Sequence, residues 1–148
     1  MKTPQNIHRF KTITAMNIEE FRDYCMSMEG VTEKTPFGKF APRFDSILVF
    51  YVLDHMFCLV DIDDFSSVTV KSTPDEIEEI RMRHSSVSKP MNLSDRHWIQ
   101  LNLNGDIPDH EIHFLVNRAY DIVKTRYSPK IRKTAYQNQN SIAPSRKS

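Results

Sequence analysis

The densest gathering of side chains with chemical potential is Lys89-Pro90-Met91-Asn92-Leu93-Ser94-Asp95-Arg96-His97-Trp98. It joins two cations, an amide, a histidine that titrates near neutrality and the chain's one Trp, in a stretch leading into a strand. Lys89, Asn92 and Arg96 suit an anion or a base edge. The plainer structural alternative makes Trp98 a core anchor and has His97 bond a neighbouring carbonyl. His97 beside Asp95 and Arg96 is also the one constellation an enzyme could use, and it lacks a nucleophile or metal partner.

Other patterns read better as structure. His110-Glu111-x-His113 has its histidines at i and i+3, whereas the zinc-protease helix stacks them at i and i+4. Cys25 and Cys58 fall on apolar stripes, where a thiol has a raised pKa and is inert. The run Asp61-Ile62-Asp63-Asp64 lacks the glycine and distal Glu of a calcium loop, and suits a solvated strand end. With three glycines in total and no Gly-rich phosphate motif, the usual nucleotide enzymes are improbable. The expectation is a non-enzymatic protein with no metal and no cofactor.

Charge is unevenly spread over the 148 residues. Residues 1–16 carry a net of +3, residues 17–123 hold 10 basic and 19 acidic side chains, and residues 124–148 carry a net of +7. An acidic body repels a phosphate backbone, so the cations available to DNA are those of the end: Lys124, Arg126, Lys130, Arg132 and Lys133. The stretch 129–148 is too polar to offset its ordering entropy and is expected to be a disordered tail. Residues 1–15 are expected to be an extension, although Ile7, Phe10 and Ile13 recur every third residue and suit a short docking element. The 39% apolar content, the mean hydropathy of −0.50 and the lack of a long apolar run place the chain among soluble globular proteins. Two cysteines 33 residues apart, and no apolar signal core near Met1, point to a reducing cytoplasm.

The elements that must hold these groups are legible. Asn17 and Glu20 have capping-box spacing, and Ile18, Phe21, Tyr24, Cys25 and Met28 make an apolar stripe that Gly30 ends. Residues 47–53 are apolar on both alternations, the mark of a strand buried on both faces, with Asp54-His55 as the turn into a second strand, 56–62. Val68 and Val70 suggest a third strand. Thr73-Pro74-Asp75-Glu76 opens a short helix. Ile99, Leu101 and Leu103 alternate with polar residues, Asn104-Gly105 turns, and a long helix follows from about Pro108. The order helix, three strands, helix, strand, helix predicts an α+β domain of two layers, an antiparallel sheet packed against helices.

Taken in order, Glu29-Gly30-Val31-Thr32, Thr35-Pro36-Phe37-Gly38, Ile47-Leu48-Val49-Phe50 and His55-Met56-Phe57 resemble the first half of the MmcQ/YjbR family. Val68-Thr69-Val70-Lys71, Lys89-Pro90-Met91-Asn92-Leu93, Arg96-His97-Trp98, Ile107-Pro108-Asp109 and Ala119-Tyr120-Asp121-Ile122-Val123 resemble its second half. The resemblance spans 16–128. It implies a CyaY-like or secretion-chaperone-like fold and a DNA-binding role, from a double-wing arrangement of sheet and loops, with no agreed catalytic residues. Two departures stand out: Lys39 to Asp45 is longer than the family's usual link, and Ala119 stands where Ser is usual. Under the DNA reading, Lys89, Asn92, Arg96, His97 and Trp98 form the contacting loop and Lys124 to Lys133 attract phosphate. Under the alternative, a protein- or small-ligand-binding module or a homodimer, the surface is a sheet rich in Leu48, Phe50, Val52, Phe57 and Leu59.

Overall fold

The first turn of a helix leaves four backbone N–H groups without partners. Asn17 supplies one: its side-chain oxygen accepts from the Glu20 N–H at 2.8 Å, and helix α1 runs Ile18–Met26. The computed structural model describes residues 16–129, so the expected N-terminal extension and nearly all of the expected tail lie outside the described residues, Lys130, Arg132 and Lys133 among them. After α1 the chain reverses through Gly30, whose φ of +80° favours glycine, into strand β1, Val31–Lys34. Strand β2 spans Ile47–Val52, β3 His55–Asp61 and β4 Ser67–Lys71. Thr73 caps helix α2, Pro74–Arg83, by accepting from the Glu76 N–H at 3.2 Å. Strand β5 is Val87–Ser88, β6 is Trp98–Asn102, and helix α3 runs Asp109–Tyr127.

The strands form one sheet in the order β1-β2-β3-β4-β6-β5, each neighbouring pair antiparallel. The α+β architecture is as expected, with two strands more than the pattern showed. Both are edges. β1 buries only Val31, and β5 is two residues long, so neither carries a readable alternation. The β2–β3 turn is Leu53-Asp54 rather than Asp54-His55, with φ of 53° and 66°. A two-residue turn with both central residues left-handed matches strand twist, and His55 is thereby freed to pair with Val52.

Pleating sends alternate side chains to opposite faces. Leu48, Phe50 and Val52 of β2, Val68 and Val70 of β4, and Ile99 and Leu101 of β6 join the core with Ile112, Val116, Ala119 and Val123 of α3. Each fully buried aliphatic or aromatic side chain is worth about 1.5–3 kcal/mol. The β2–β3 register shifts between Phe50 and Tyr51: Phe50 faces Cys58, Tyr51 faces Met56, and Phe57 is left over. That extra residue lets Phe57 and Cys58, neighbours in sequence, both lie buried in the core, the Phe57 ring 5.7 Å from that of Tyr120. Leu48, Phe50, Val52 and Phe57 therefore sit under the helices. Of the five residues expected on an open sheet surface, only Leu59 lies on the other face. Cys25 and Cys58 are both fully buried, and burial, then the hydrogen bond with Cys25, pushes the Cys58 thiol up. No helix among the described residues is long and apolar enough to cross a membrane.

Carboxylates fasten the loops. Asp106 accepts from the N–H groups of Ser85 (2.9 Å) and Ser86 (3.0 Å), and its own N–H donates to Ser86 Oγ at 2.8 Å. The fit requires Gly105, since a Cβ there would stand 1.9 Å from Ser86 Oγ. Glu111 takes Arg83 and His84, the latter at 2.9 Å. The Ser86 and Ser85 hydrogen bonds hold Asp106 well below the usual carboxylate range. Burial pushes Glu111 upward, but hydrogen bonds from Arg83 and His84 outweigh it and leave the group low. A depressed carboxylate contributes stability that is present above its unfolded pKa, about 4, and is lost as pH falls through its folded value. Asp106→Asn and Glu111→Gln are expected to lower the urea midpoint at pH 7 and to flatten its decline below about pH 4. Midpoints falling in parallel with wild type over that acid range would exclude these pins as the source.

Candidate functional site

Among the described residues the sheet's second face carries no helix in the core packing, yet β2 is apolar on that side too. Val49 is fully buried although it stands outside the helix-side core. Two loops cover this face and leave between them a cleft of about 750 Å³. Its floor is Ile47, Met56, Leu59, Thr69 and Gln100. The β1–β2 loop supplies Phe37, Phe40, Arg43 and Phe44. Successive turns shape this loop, with Phe40 N–H to Phe37 O at 3.0 Å and Phe44 N–H to Ala41 O at 2.8 Å. Gly38 lets it fold tightly, because a Cβ there would come within 2.8 Å of that of Asp45. The β5–β6 loop supplies Pro90, Met91, Asn92 and Leu93, and Asn92 turns it with a φ of +62°. Phe40 is 78% exposed and Met91 74%, so two large apolar side chains of the lining stand in solvent.

The cleft has a direction. At the β3–β4 turn its lining ends in Asp61, Asp64 and Ser66. Asp61 Oδ1 accepts from Ser46 Oγ (2.8 Å) and from the N–H groups of Asp63 (2.9 Å) and Asp64 (3.3 Å), so this acidic run organises its turn. At the opposite end of β3, His55 stacks on Tyr127 with ring centroids 3.5 Å apart. Lys71, on the neighbouring strand, lies 5.1 Å from the Trp98 ring centroid, and Arg126 lies 5.6 Å from that of Tyr127. Burial and then the Arg126 charge pull the Lys71 amine below its ordinary value. Neither cation has an ion pair with a carboxylate among the described residues.

The residues singled out from sequence are spread over these features. Trp98 is 6% exposed and anchors the second face under Lys71. Lys89 pairs with Asp95 at 3.6 Å. Asn92 lines the cleft, while Arg96 and His97 are exposed. His97 takes part through its backbone, its carbonyl accepting from the Ser72 N–H at 2.9 Å. Lys124 is held by the Tyr120 hydroxyl at 3.3 Å and lies 3.9 Å from a Glu29 carboxylate oxygen, whereas Arg126 sits with Lys71. Sequence reasoning missed Lys71, Arg43 and the Phe37, Phe40, Phe44 set. The signal for the last was three phenylalanines within eight residues of a loop. Of the metal-like motif, Glu111 is engaged by Arg83 and His84 and His113 stacks on Tyr24 at 4.4 Å. Among the described residues no group of three or more His, Cys, Asp or Glu could hold a metal ion. The cleft lining combines aromatic and thioether walls with a few polar groups.

The Lys71–Arg126 pair makes a direct prediction. Removing the like charge in Arg126→Ala should raise the Lys71 pKa toward the ordinary lysine value of about 10.4, while burial keeps it from arriving there. Titration of the lysine side-chain NMR signals reads this. An unmoved Lys71 would show that the two charges do not interact.

Known proteins resemble this chain in sequence and in fold. The YjbR protein of Escherichia coli K12 is 29% identical over 106 residues, covering 71% of this chain and 85% of its own, and that of Escherichia coli O157:H7 matches equally. The crystal structure of Deinococcus radiodurans protein DR2400, with the domain named DUF419, matches at TM-score 0.70 and 25% identity over 83% of this chain and 90% of that one. A Pseudomonas syringae protein matches at TM-score 0.55 and 22% identity, covering 70% and 96%, a likeness of fold. The YjbR family profile fits residues 26–122, which takes in β1 through most of α3 together with both cleft loops, so the chain belongs to the YjbR family.

Proposed function

We propose that this protein is a non-catalytic binding module whose cleft takes an extended apolar segment of a protein partner. The observation that carries the reading is the pair of exposed side chains, Phe40 and Met91, on the two loops that wall a cleft floored by Ile47, Met56 and Leu59. Contiguous apolar surface of this kind marks an interaction site, and a wall of Met and Phe adapts to its occupant. The volume falls among those of ligand-enclosing pockets, about 300–1,000 Å³. Titration of the full chain with an environment-sensitive apolar dye should show saturable binding. The double variant Phe40→Ala/Met91→Ala alters only exposed side chains, and it should weaken binding about tenfold with an unchanged urea midpoint. Equal affinity in wild type and variant would remove the cleft as the site.

A second reading, DNA binding, is favoured by one observation: Lys71 and Arg126 lie together without a carboxylate, beside the end of α3 from which Lys130, Arg132 and Lys133 follow in sequence. Lys89, Asn92, Arg96, His97 and Lys124 would add contacts from the same body. Fluorescence anisotropy on duplex DNA over a range of salt should give a log–log slope that becomes shallower by about 2 in Lys71→Ala/Arg126→Ala, one for each lost phosphate contact. A slope equal to wild type, or no binding at low salt, would count decisively against this pair.

A further inference from the structure

We infer that a second copy of this chain docks on the outer face of the helical layer, over α2 and α3, on the side of the sheet away from the cleft. The fold leaves two large apolar side chains out on that face. Ile77 and Ile80 turn α2 to the core, and Met82, two residues past Ile80 and so about 200° round the helix, is 80% exposed. On α3 the buried stripe takes Ile112, Leu115, Val116 and Ala119, and Phe114 stands outside it, 65% exposed. The two helices run antiparallel side by side, because Arg118 holds Glu76 at 2.6 Å while Arg83 holds Glu111. These two ion pairs are seven residues apart on both helices, about 10 Å, and Phe114 falls midway between them.

The charges select the occupant. About the midpoint between the ion pairs, α2 is acidic on one side, with Asp75, Glu76, Glu78 and Glu79, and basic on the other, with Arg81, Arg83 and then His84. Along α3, Glu111 and Arg118 stand either side of the same midpoint. A two-fold axis through it, lying across the helices, sets each helix antiparallel on its own copy. Glu76 then stands over Arg83 of the second copy and Arg118 over its Glu111, while Glu78 comes level with its Arg81 and His110 close to its Asp121. Arg118 uses Nε and Nη2 on Glu76, which leaves Nη1 for the second carboxylate. The two Phe114 rings meet at the axis, flanked by the two Met82 side chains. Glu79 meets like charge there, its own copy across the axis. A partner of uniform charge would find both signs on this face, whereas a second copy inverts them. The face is roughly 28 Å by 20 Å, so two copies bury about 1,000 Å² in all, an area of weak and reversible association.

Sedimentation velocity on the full chain, from about 5 μM to about 500 μM, spans the range in which an interface of this size assembles. Wild type should pass from monomer to dimer. Phe114→Asp/Met82→Asp alters only exposed side chains, and it should weaken the dimer at least about tenfold with an unchanged urea midpoint. Glu79→Gln removes the like charges at the axis and should tighten the dimer about threefold to tenfold, a gain that a misfolded variant would not give. Phe40→Ala/Met91→Ala should leave association as in wild type, so the cleft reading can fail without this one. A monomer at every concentration overturns the second copy as occupant of this face. A dimer that Phe114→Asp/Met82→Asp does not weaken, or that Phe40→Ala/Met91→Ala dissolves, is built elsewhere and overturns it too. A dimer that Glu79→Gln leaves equal or weaker overturns the two-fold register.

Discussion

A strand that is apolar on both alternations must be covered on both faces, and among the described residues only one face has helices. Everything distinctive about the molecule follows from that mismatch at Ile47–Val52. Leu48, Phe50 and Val52 share one core with the apolar stripes of α1 and α3. On the reverse side Val49 is sealed, but by irregular loops. Loops present backbone as well as side chains, and their polar groups must be satisfied among themselves, so they cannot tile a sheet as a helix does. The turns within 37–45 and the left-handed Asn92 are how these two loops satisfy that demand, and the cleft is the area they leave uncovered.

The ionic interactions divide the charges of the body into those committed to structure and those left over. Arg22 is bound to Glu33, Arg83 to Glu111 and Arg118 to Glu76, the last through Nε and Nη2 at 3.1 and 2.6 Å. Asp61 and Asp106 are occupied by backbone N–H groups. Surface pairs of this kind contribute little to stability individually, but they fix where free charge remains. Arg43 lies on the Phe44 ring at 4.5 Å, and Lys71 at the end of β4 feels the charge of Arg126 near the end of α3, all without a carboxylate partner among the described residues. The net acidic charge of residues 17–123 therefore coexists with two local cationic points, both on or beside the second face of the sheet.

How much of this the residues disclosed depends on whether burial was encoded locally. The caps at Asn17 and Thr73, the doubly apolar β2 and the stripe of α3 were legible because each is a periodic pattern within one element. β1 and β5 were not, because an edge strand is held by pairing with a neighbour and needs no apolar alternation of its own. The cleft was half legible. Apolarity on both alternations implied two covered faces, but nothing in the pattern says which parity the helices take. The bulge at Phe57 then inverts the parity of β3 part-way along, so Leu59 and Phe57 separate although both are apolar at odd positions. The aromatic loop went unnoticed as a wall because its partners, Met91 and Leu93, stand some fifty residues away in sequence.

The loop stretch Lys39 to Asp45 brings Phe40, Arg43 and Phe44 to the cleft. A scaffold of sheet and helices can stay fixed while such a loop changes what the scaffold holds, since the sheet sets the floor and its ends, and the loops set the walls. Here the floor is itself polar in sense. β3 runs from His55, beside Tyr127, Arg126 and Lys71, to Asp61, beside Asp64. A charged chain laid along it meets opposite charge at one end and like charge at the other. A segment whose two ends differ in charge would be oriented by the ends of the strand, whereas a longer or shorter 39–45 loop would alter the walls alone.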